Sequence, residues 1–344
     1  MVSTRSRITA IEAPGHAASW RDLATSANAP VFYRPEFLAA YRSYPLRPIH
    51  DSRRLLLVDA HRNVLAGLPV YLVDFVDPFQ TIGVPAAACP ETRQQRMVIS
   101  HFWHCYDTRL LARELSVPLV EAAMDTLRWH AAQWQADACG FINVSARDPL
   151  GECLETIGIR RAPARERYRI PLGGIRSVED YLAGLRPRIR HEARRCLRRA
   201  QEAGVTVRVH APPASAGLLS QVAELLGHTA DRHNPGYYPP HLVVPFLRSV
   251  GPTLRIIALW QGGRAIAVGI CFADGRVFHA WALGVRPGTK GHFSPFVILL
   301  VATVSAALAE DCGLIELGRT NGEWKQRHGA VGLRLASWLA MDGW

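Results

Sequence analysis

The chain has 344 residues, of which 49% are hydrophobic and 20% charged, with 40 Lys and Arg against 29 Asp and Glu and a net charge of +11. That balance excludes a disordered chain, and at roughly 150 residues per domain the length predicts two domains. The longest apolar run, Phe296 to Ala309, is 14 residues, short of the ~20 that a membrane span needs, so no integral membrane segment is expected.

In chain order, Met1 to Ala10 carries Arg5 and Arg7 with no apolar stretch behind them. It does not read as a secretory signal, and the expected location is cytoplasmic. A short helix over Pro35–Tyr44 opens at proline. Arg54–Asp59 and Val64–Val73 read as strands paired across the turn 60–63. Residues 74–96 are loop-rich, with Pro78, Pro85 and Pro90. Leu119, Ala122, Ala123, Leu127 and Ala131 share one face of a helix over Pro118–Trp134. Phe141–Val144 and Arg167–Ile170 are strand candidates.

The second half begins near Gly173. Ser177 caps a long basic helix that runs to about Ala203 and ends at Gly204. Val205–Val209 is a strand, Ala214–Thr229 a helix, and Pro235–Pro245 an aromatic, proline-rich loop. Leu254–Trp260, Ala265–Phe272 and Val277–Leu283 are three strands in series, joined at Gly262-Gly263 and Asp274-Gly275, both hairpin signals. A loop, Val285–Pro295, leads to an apolar helix over Phe296–Ala309. Leu314–Leu317 is a strand, Gly318–Gly329 a polar loop, and Leu333–Ala340 the last strand.

The seven cysteines include no C-x-x-C and are odd in number, which argues against a disulfide framework or a cysteine zinc site. His101, His104 and Cys105 have metal-like spacing, but Phe102-Trp103 between them reads as core and no second pair stands nearby. No metal is expected. The charge is uneven. Residues 1–170 carry 20 basic and 17 acidic groups, and residues 171–344 carry 20 and 12. A basic half fits a polyanionic partner or a solvated arginine-rich surface. Only Lys290 and Lys325 are lysines; the other 38 basic residues are arginines. Where lysine survives in that background, arginine does not do the same job.

The order helix, strand, helix, three antiparallel strands, helix, strand, strand resembles the GNAT acyltransferase fold, and the first half repeats it weakly. Two such domains in one chain resemble the Fem-type aminoacyltransferases, which form amide bonds from aminoacyl-tRNA. The resemblance implies an α/β protein of two tandem GNAT-like domains, each a mixed, mostly antiparallel sheet flanked by helices. The expected domains are 1–172, degenerate, and 173–344, catalytic.

Three segments carry this resemblance. Leu185–Val207 holds Arg186, Arg188, Arg190, Arg194, Arg195, Arg198 and Arg199 within 14 residues, with Glu192 the one acid among them. On a 3.6-residue repeat, Arg190, Arg194 and Arg198 form one stripe, and Arg188, Arg195 and Arg199 another. Stripes of like charge repel unless an anion lies between them, and guanidinium forks suit phosphate. A solvated helix face is the competing explanation. The second segment, Glu316–Gly329 (E-L-G-R-T-N-G-E-W-K-Q-R-H-G), resembles the C-terminal signature of the Fem-like proteins. That implies Lys325 at the acyl-transfer site, stabilising the oxyanion formed when an amine attacks an ester, with Arg319, Asn321 and Trp324 contacting substrate. A surface lysine beside a core tryptophan is the alternative. The third segment, Val285–Pro295, stands where acetyl-CoA-dependent GNAT enzymes cradle pyrophosphate at a helix N-terminus. Its spacing is distorted, but Arg286 and Lys290 remain as phosphate-binding candidates. His233, Tyr237 and Tyr238, in the aromatic loop, are candidates for a substrate cleft.

The function these residues imply is transfer of an aminoacyl group from aminoacyl-tRNA to the amine of a cell-wall precursor or natural-product intermediate. The ester is already activated, so no cofactor is needed, and no P-loop or G-x-S-x-G is present. The base is Glu316, Glu323, His328 or the substrate itself. An acyl-CoA-dependent N-acyltransferase, with a coenzyme A thioester as donor, and a non-catalytic RNA- or envelope-binding module are the alternatives.

Overall fold

The computed structural model describes residues 8–13, 16–74, 96–232, 234–289 and 292–341. The chain runs through β1 (Thr9–Glu12), α1 (Ala17–Ser26), α2 (Pro35–Ser43), β2 (Asp51–Val58), β3 (Val64–Asp74), β4 (Arg96–Ser100), β5 (Leu111–Ala112), α3 (Val117–Gln133), β6 (Ala138–Ser145), α4 (Pro149–Thr156) and β7 (Arg161–Pro163). It continues through β8 (Arg167–Pro171), α5 (Val178–Gly184), α6 (Pro187–Glu202), β9 (Thr206–His210), α7 (Ala216–Ala230), α8 (Pro240–Ser249), β10 (Leu254–Gln261), β11 (Arg264–Ala273), β12 (Val277–Val285), α9 (Pro295–Ala309), β13 (Leu314–Glu316), α10 (Gly322–Arg327), β14 (Val331–Leu333) and β15 (Leu335–Met341).

Two compact units divide these elements. One comprises Met1–Leu38, Arg47–Arg165 and Arg334–Trp344; the other comprises Ala39–Leu46 and Glu166–Leu333. In the first, the sheet order is β1-β2-β3-β4-β6-β15-β7, with β5 beside β3. Its one parallel pair is β4 with β6. Leu119, Ala123, Leu127 and Ala131 of α3 pack on it, on the face their spacing predicts.

The units depart from the expected halves 1–172 and 173–344 in one respect that matters. The strand expected over Leu333–Ala340 is β15 from Leu335 onward, and its first residue, Leu333, ends β14 in the other sheet. Residues of β14 pair with β8, whereas β15 enters the first sheet between β6 and β7, with Leu335 opposite Ser145 and Ser337 opposite Ala162. Leu335–Leu339 is buried at every position, as an interior strand requires. Alternation along one strand says nothing about which sheet receives it.

In the second unit the sheet order is β14-β8-β13-β12-β11-β10-β9, and only β12 and β13 run parallel. Helix α9 is apolar on all sides and carries ten buried residues, so it lies in the core under α5 and α6. Helix α6 is its opposite. It fully buries only the small residues Ala193, Cys196 and Ala200, with Ile189 and Leu197 half-buried beside them, and its exposed side is rich in arginine. The expected continuous helix from Ser177 breaks at Leu185-Arg186, both extended, because Pro187 pushes the residue before it out of the helical region. Two segments read as loop contain helices. Pro240 starts α8, whose Val243, Phe246 and Leu247 are buried, and α10 lies inside 318–329. On the opposite face of the sheet, α7 crosses β12 at Gly284, where a Cβ would overlap the Leu225 main chain. Backbone cannot yield as a side-chain tip does. Gly284→Ala is therefore expected to lower stability by about 1–3 kcal/mol, read as a fall in the urea midpoint at unchanged slope.

Candidate active site

The site follows from how β12 and β13 pair. They bond over Val277–Leu314, Phe278–Ile315 and His279–Glu316 only, while β12 continues to Val285. The sheet therefore opens immediately past Glu316. Residues 317–321 turn the chain out of that opening, and Asn321 closes the turn at φ 57°, the left-handed region Asn tolerates. Helix α10 then brings Lys325 back over the end of β13.

The Lys325 Nζ donates to the Leu317 carbonyl at 2.6 Å and lies 5.6 Å from the centre of the Tyr168 ring. Burial is the main cause that pushes its pKa down to about 7; Glu316 opposes this and Arg319 adds to it. Tyr168 stands in β8 with its hydroxyl donating to Glu166 at 3.1 Å. A Cβ at Gly322 would overlap that hydroxyl, and one at Gly332 would crowd the Glu166 carboxylate. Both glycines are thus required for α10 and β14 to close around Tyr168.

Glu316 is 2% exposed. Across the β8–β13 ladder it faces Arg169, whose Nε is 3.4 Å away, and the buried Arg167 reaches it at 3.7 Å. One strand over, His279 is the register partner of Glu316 and bonds Asp274 at 3.2 Å. A row of buried polar and charged groups thus runs from β12 to β8 on the sheet face opposite α9. His328 ends α10: its Nδ1 donates to the Trp324 carbonyl at 2.7 Å, its ring lies 4.2 Å from Trp324, and its own carbonyl accepts from Tyr181.

Glu316 and Arg319 therefore lie near enough to Lys325 to act on its charge, while Trp324 and His328 pack on each other. Glu323 does not join them. It is 89% exposed and pairs with Arg327. Tyr238 lies near enough to feel the Arg319 charge, although burial dominates and raises its pKa. Its ring meets Tyr237 at 4.8 Å and Trp281 of β12 at 5.6 Å. His233 and Lys290 lie outside the described residues.

The expectation that Glu192 alone opposes the arginines of the basic helix needs correction. Arg194 pairs with Glu179 of α5, and Arg198 lies 3.8 Å from Glu202. Arg190 donates to Ala183 O and Arg199 to His292 O, both main-chain carbonyls. Arg188 and Arg195 are exposed and have no carboxylate within ion-pair distance among the described residues. Arg286 is also engaged internally. It bonds Glu224 at 2.8 Å and the Ala265 carbonyl at 3.1 Å.

In the first unit the equivalent opening, past the parallel β4–β6 pair, is filled by the chain itself. Residues 101–108 are all buried, and Thr108 rejoins β6 beside Val144. His101 accepts from Phe102 N and bonds the Phe32 carbonyl at 3.2 Å, and burial pushes its pKa down to about 3. It is a neutral packing group within an aromatic cluster. Among the described residues no group of His, Cys, Asp and Glu has the arrangement of a metal site.

Sequence reasoning missed Arg167, Tyr168 and Arg169, which it took as a strand and nothing more. Two arginines two residues apart in a strand point to one face, but their carboxylate lies 147 residues on, by number 316 against 169, and only the ladder joins them.

Residues 187–326 match the family described as acetyltransferase (GNAT) domain. No curated protein matches the chain by sequence. Among solved structures, a tandem GNAT protein from the clavulanic acid biosynthesis pathway, determined without AcCoA, is 14% identical, with 98% of each chain covered and a TM-score of 0.58. FemX is 12% identical over 96% of each chain, with a TM-score of 0.61. L-PGS from Bacillus licheniformis is 12% identical over 88% of this chain and 91% of that one, with a TM-score of 0.55. At such identities the likeness is one of fold: two tandem GNAT-like domains spanning the chain. No helix among the described residues is long and apolar enough to cross a membrane.

Proposed function

We propose, from the premise that residues 187–326 form a GNAT-superfamily acyltransferase domain, that this protein is an aminoacyltransferase which passes an aminoacyl group from aminoacyl-tRNA to an amine, forming an amide. The acceptor belongs to the class of cell-wall precursors or natural-product intermediates. The reaction takes place where β12 and β13 part, beside Lys325. Positioning and electrostatics carry the chemistry, because the ester is already activated; no separate cofactor takes part.

The observation that carries the choice of donor is the internal engagement of Arg286, at the end of β12, where the loop to α9 begins. Arg286, the described cation in the place where coenzyme A would need one, is taken by Glu224 and Ala265 O. Beside that loop, the row of α6 containing Arg188, Arg195 and Arg199 faces outward, and Arg199 touches His292 two residues before Ser294, the cap of α9. A phosphate backbone along α6 suits this arrangement better than a pyrophosphate in the loop. The acyl-CoA-dependent reading rests on the family match itself, whose description is acetyltransferase.

The test is electrostatic. Replacing Arg188 and Arg195 with glutamine keeps helix propensity and leaves the ion pairs of Arg194 and Arg198 intact. For every phosphate that the variant no longer neutralises, the slope of log affinity against log salt is expected to flatten by about 0.7 to 0.9. Filter binding of charged tRNA across a salt series reads that slope, and the melting temperature should hold. An unchanged slope would mean that this face of α6 meets only solvent.

A further inference from the structure

We propose that Lys325 is the proton carrier of the transfer, working as a neutral amine that takes a proton from the acceptor's ammonium, while Arg319 supplies the fixed positive charge of the site. The proposal rests on the acyl-transfer reading above and assigns its acid–base step.

The geometry separates Lys325 from the charge that would keep it an ammonium. The one buried carboxylate nearby, Glu316, is matched by two guanidiniums, Arg167 and Arg169. Among the described residues, no carboxylate lies within ion-pair distance of Lys325. Its Nζ donates instead to a neutral acceptor, Leu317 O, with the Tyr168 ring as its other neighbour. An amine that donates one hydrogen to a carbonyl keeps its lone pair for another partner. Other charged groups face it from every element packed around it. From β13 and the following turn come Glu316 and Arg319; from β8, Tyr168 with Glu166 bonded to it; on α10 itself, Glu323 and Arg327 pair with each other at the surface and His328 is held by Trp324 O. Burial outweighs the Glu316 attraction, Arg319 acts in the same direction as burial, and the pKa falls to about 7. A base poised there is half neutral at the working pH, the condition for efficient proton transfer.

The other candidate bases are less well placed. Glu316 is matched by arginines, and Glu323 is in solvent with Arg327. The His328 ring is buried and packs on Trp324 at 4.2 Å, with its Nδ1 hydrogen on the Trp324 carbonyl.

In the step itself, the Lys325 lone pair takes one proton from the acceptor R–NH3+, and the freed amine attacks the acyl carbon to form the C–N bond. The C–O bond to the donor ribose breaks, and Lys325 returns its proton to that leaving oxygen. The second proton leaves the amide nitrogen for solvent. An ammonium and an ester become an amide, an alcohol and one released proton.

The scarcity of lysine makes the test direct. Protein labelled with carbon-13 at lysine Cε gives signals from two residues, and loss of one in Lys325→Arg assigns it. In the ligand-free wild type the Lys325 signal is expected to titrate with a midpoint near 7, and kcat/KM should rise with pH through the same midpoint. Lys325→Arg should be as inactive as Lys325→Ala, about 10²-fold or more below wild type, because a guanidinium cannot be deprotonated. Methylamine should restore Lys325→Ala in proportion to its neutral fraction. A midpoint near 10 in an active enzyme, or an arginine variant within a few-fold of wild type, overturns the proposal in favour of a cationic role and leaves the acyl-transfer reading standing. A midpoint near 7 without transfer from any aminoacyl-tRNA or acyl-CoA overturns both.

Discussion

Lys325→Ala is expected to cut turnover by about 10²-fold or more, the scale of losing one acid–base group or one oxyanion donor, in a protein that still folds. The reason lies in where Nζ sits. It closes the end of β13 and meets Leu317 O and the face of Tyr168, and among the described residues its removal breaks no ion pair. The variant should also differ from wild type in how stability responds to pH. The unfolded chain holds the Lys325 proton up to its ordinary range near 10.5, whereas the folded chain releases it near 7. Between those values the unfolded state binds more protons, so wild-type stability rises with pH across that window. As pH falls from about 10.5 through 7, that contribution is lost. Lys325→Met, which keeps the stem and drops the amine, should lack this rise. Urea unfolding at pH 7 and pH 9 measures it: the gap between wild type and Lys325→Met should shift in favour of wild type at the higher pH. A gap of the same size at both pH values would show that Lys325 keeps its proton in the fold.

Glu316→Ala should cost the most stability of any single change at the site, about 3–5 kcal/mol, the range for removing one partner of a buried ion pair. The effect arises from what is left behind. Arg167 is 1% exposed and would keep its charge without the carboxylate that lies 3.7 Å from it. Arg169, 30% exposed at its side chain, can turn toward water; Arg167 cannot. The double variant Glu316→Leu with Arg167→Met should recover most of the loss, because it removes both charges and fills the space with apolar groups. Denaturant unfolding of wild type, Glu316→Leu, Arg167→Met and the double variant closes the cycle. If Glu316→Ala costs under about 1 kcal/mol, the buried row of charges is not what holds β8 to β13.

Much of the second unit was legible because its signals are local. Gly262-Gly263 and Asp274-Gly275 mark the turns of the three-stranded meander, and each strand begins within three residues of its expected start. The resemblance of Glu316–Gly329 to the Fem-like signature pointed to Lys325, and the scarcity of lysine added to it; no pattern of hydrophobicity distinguishes it. What was not legible is what only pairing creates. Arg167 and Glu316 are nothing more than an arginine and a glutamate until β8 and β13 lie side by side. The route of β15 into the first sheet has no local signal, because an interior strand is apolar wherever it is inserted. Helical spacing places the arginine stripes and sets Glu202 one turn from Arg198, but it does not reveal the partner of Arg194: Glu179 belongs to α5, and Pro187 folds that helix back toward Arg194. The helix α8 was hidden by its prolines. Pro240 sits in the first turn, where its missing N–H costs nothing, and Pro245 interrupts the helix without ending it.

The role proposed for α6 turns on an acyl group that arrives on RNA. Purified protein should be incubated with a panel of aminoacyl-tRNAs, each carrying a labelled amino acid, and in parallel with labelled acetyl-CoA, together with the small-molecule fraction of a cell extract as the source of acceptor amines. The expected result is label passing from one aminoacyl-tRNA into a ribonuclease-resistant amide. Pretreating the donor with ribonuclease should abolish the transfer, removing coenzyme A should leave it unchanged, and Lys325→Ala should lower it about 10²-fold. Transfer from acetyl-CoA that ribonuclease leaves untouched would contradict RNA as the donor.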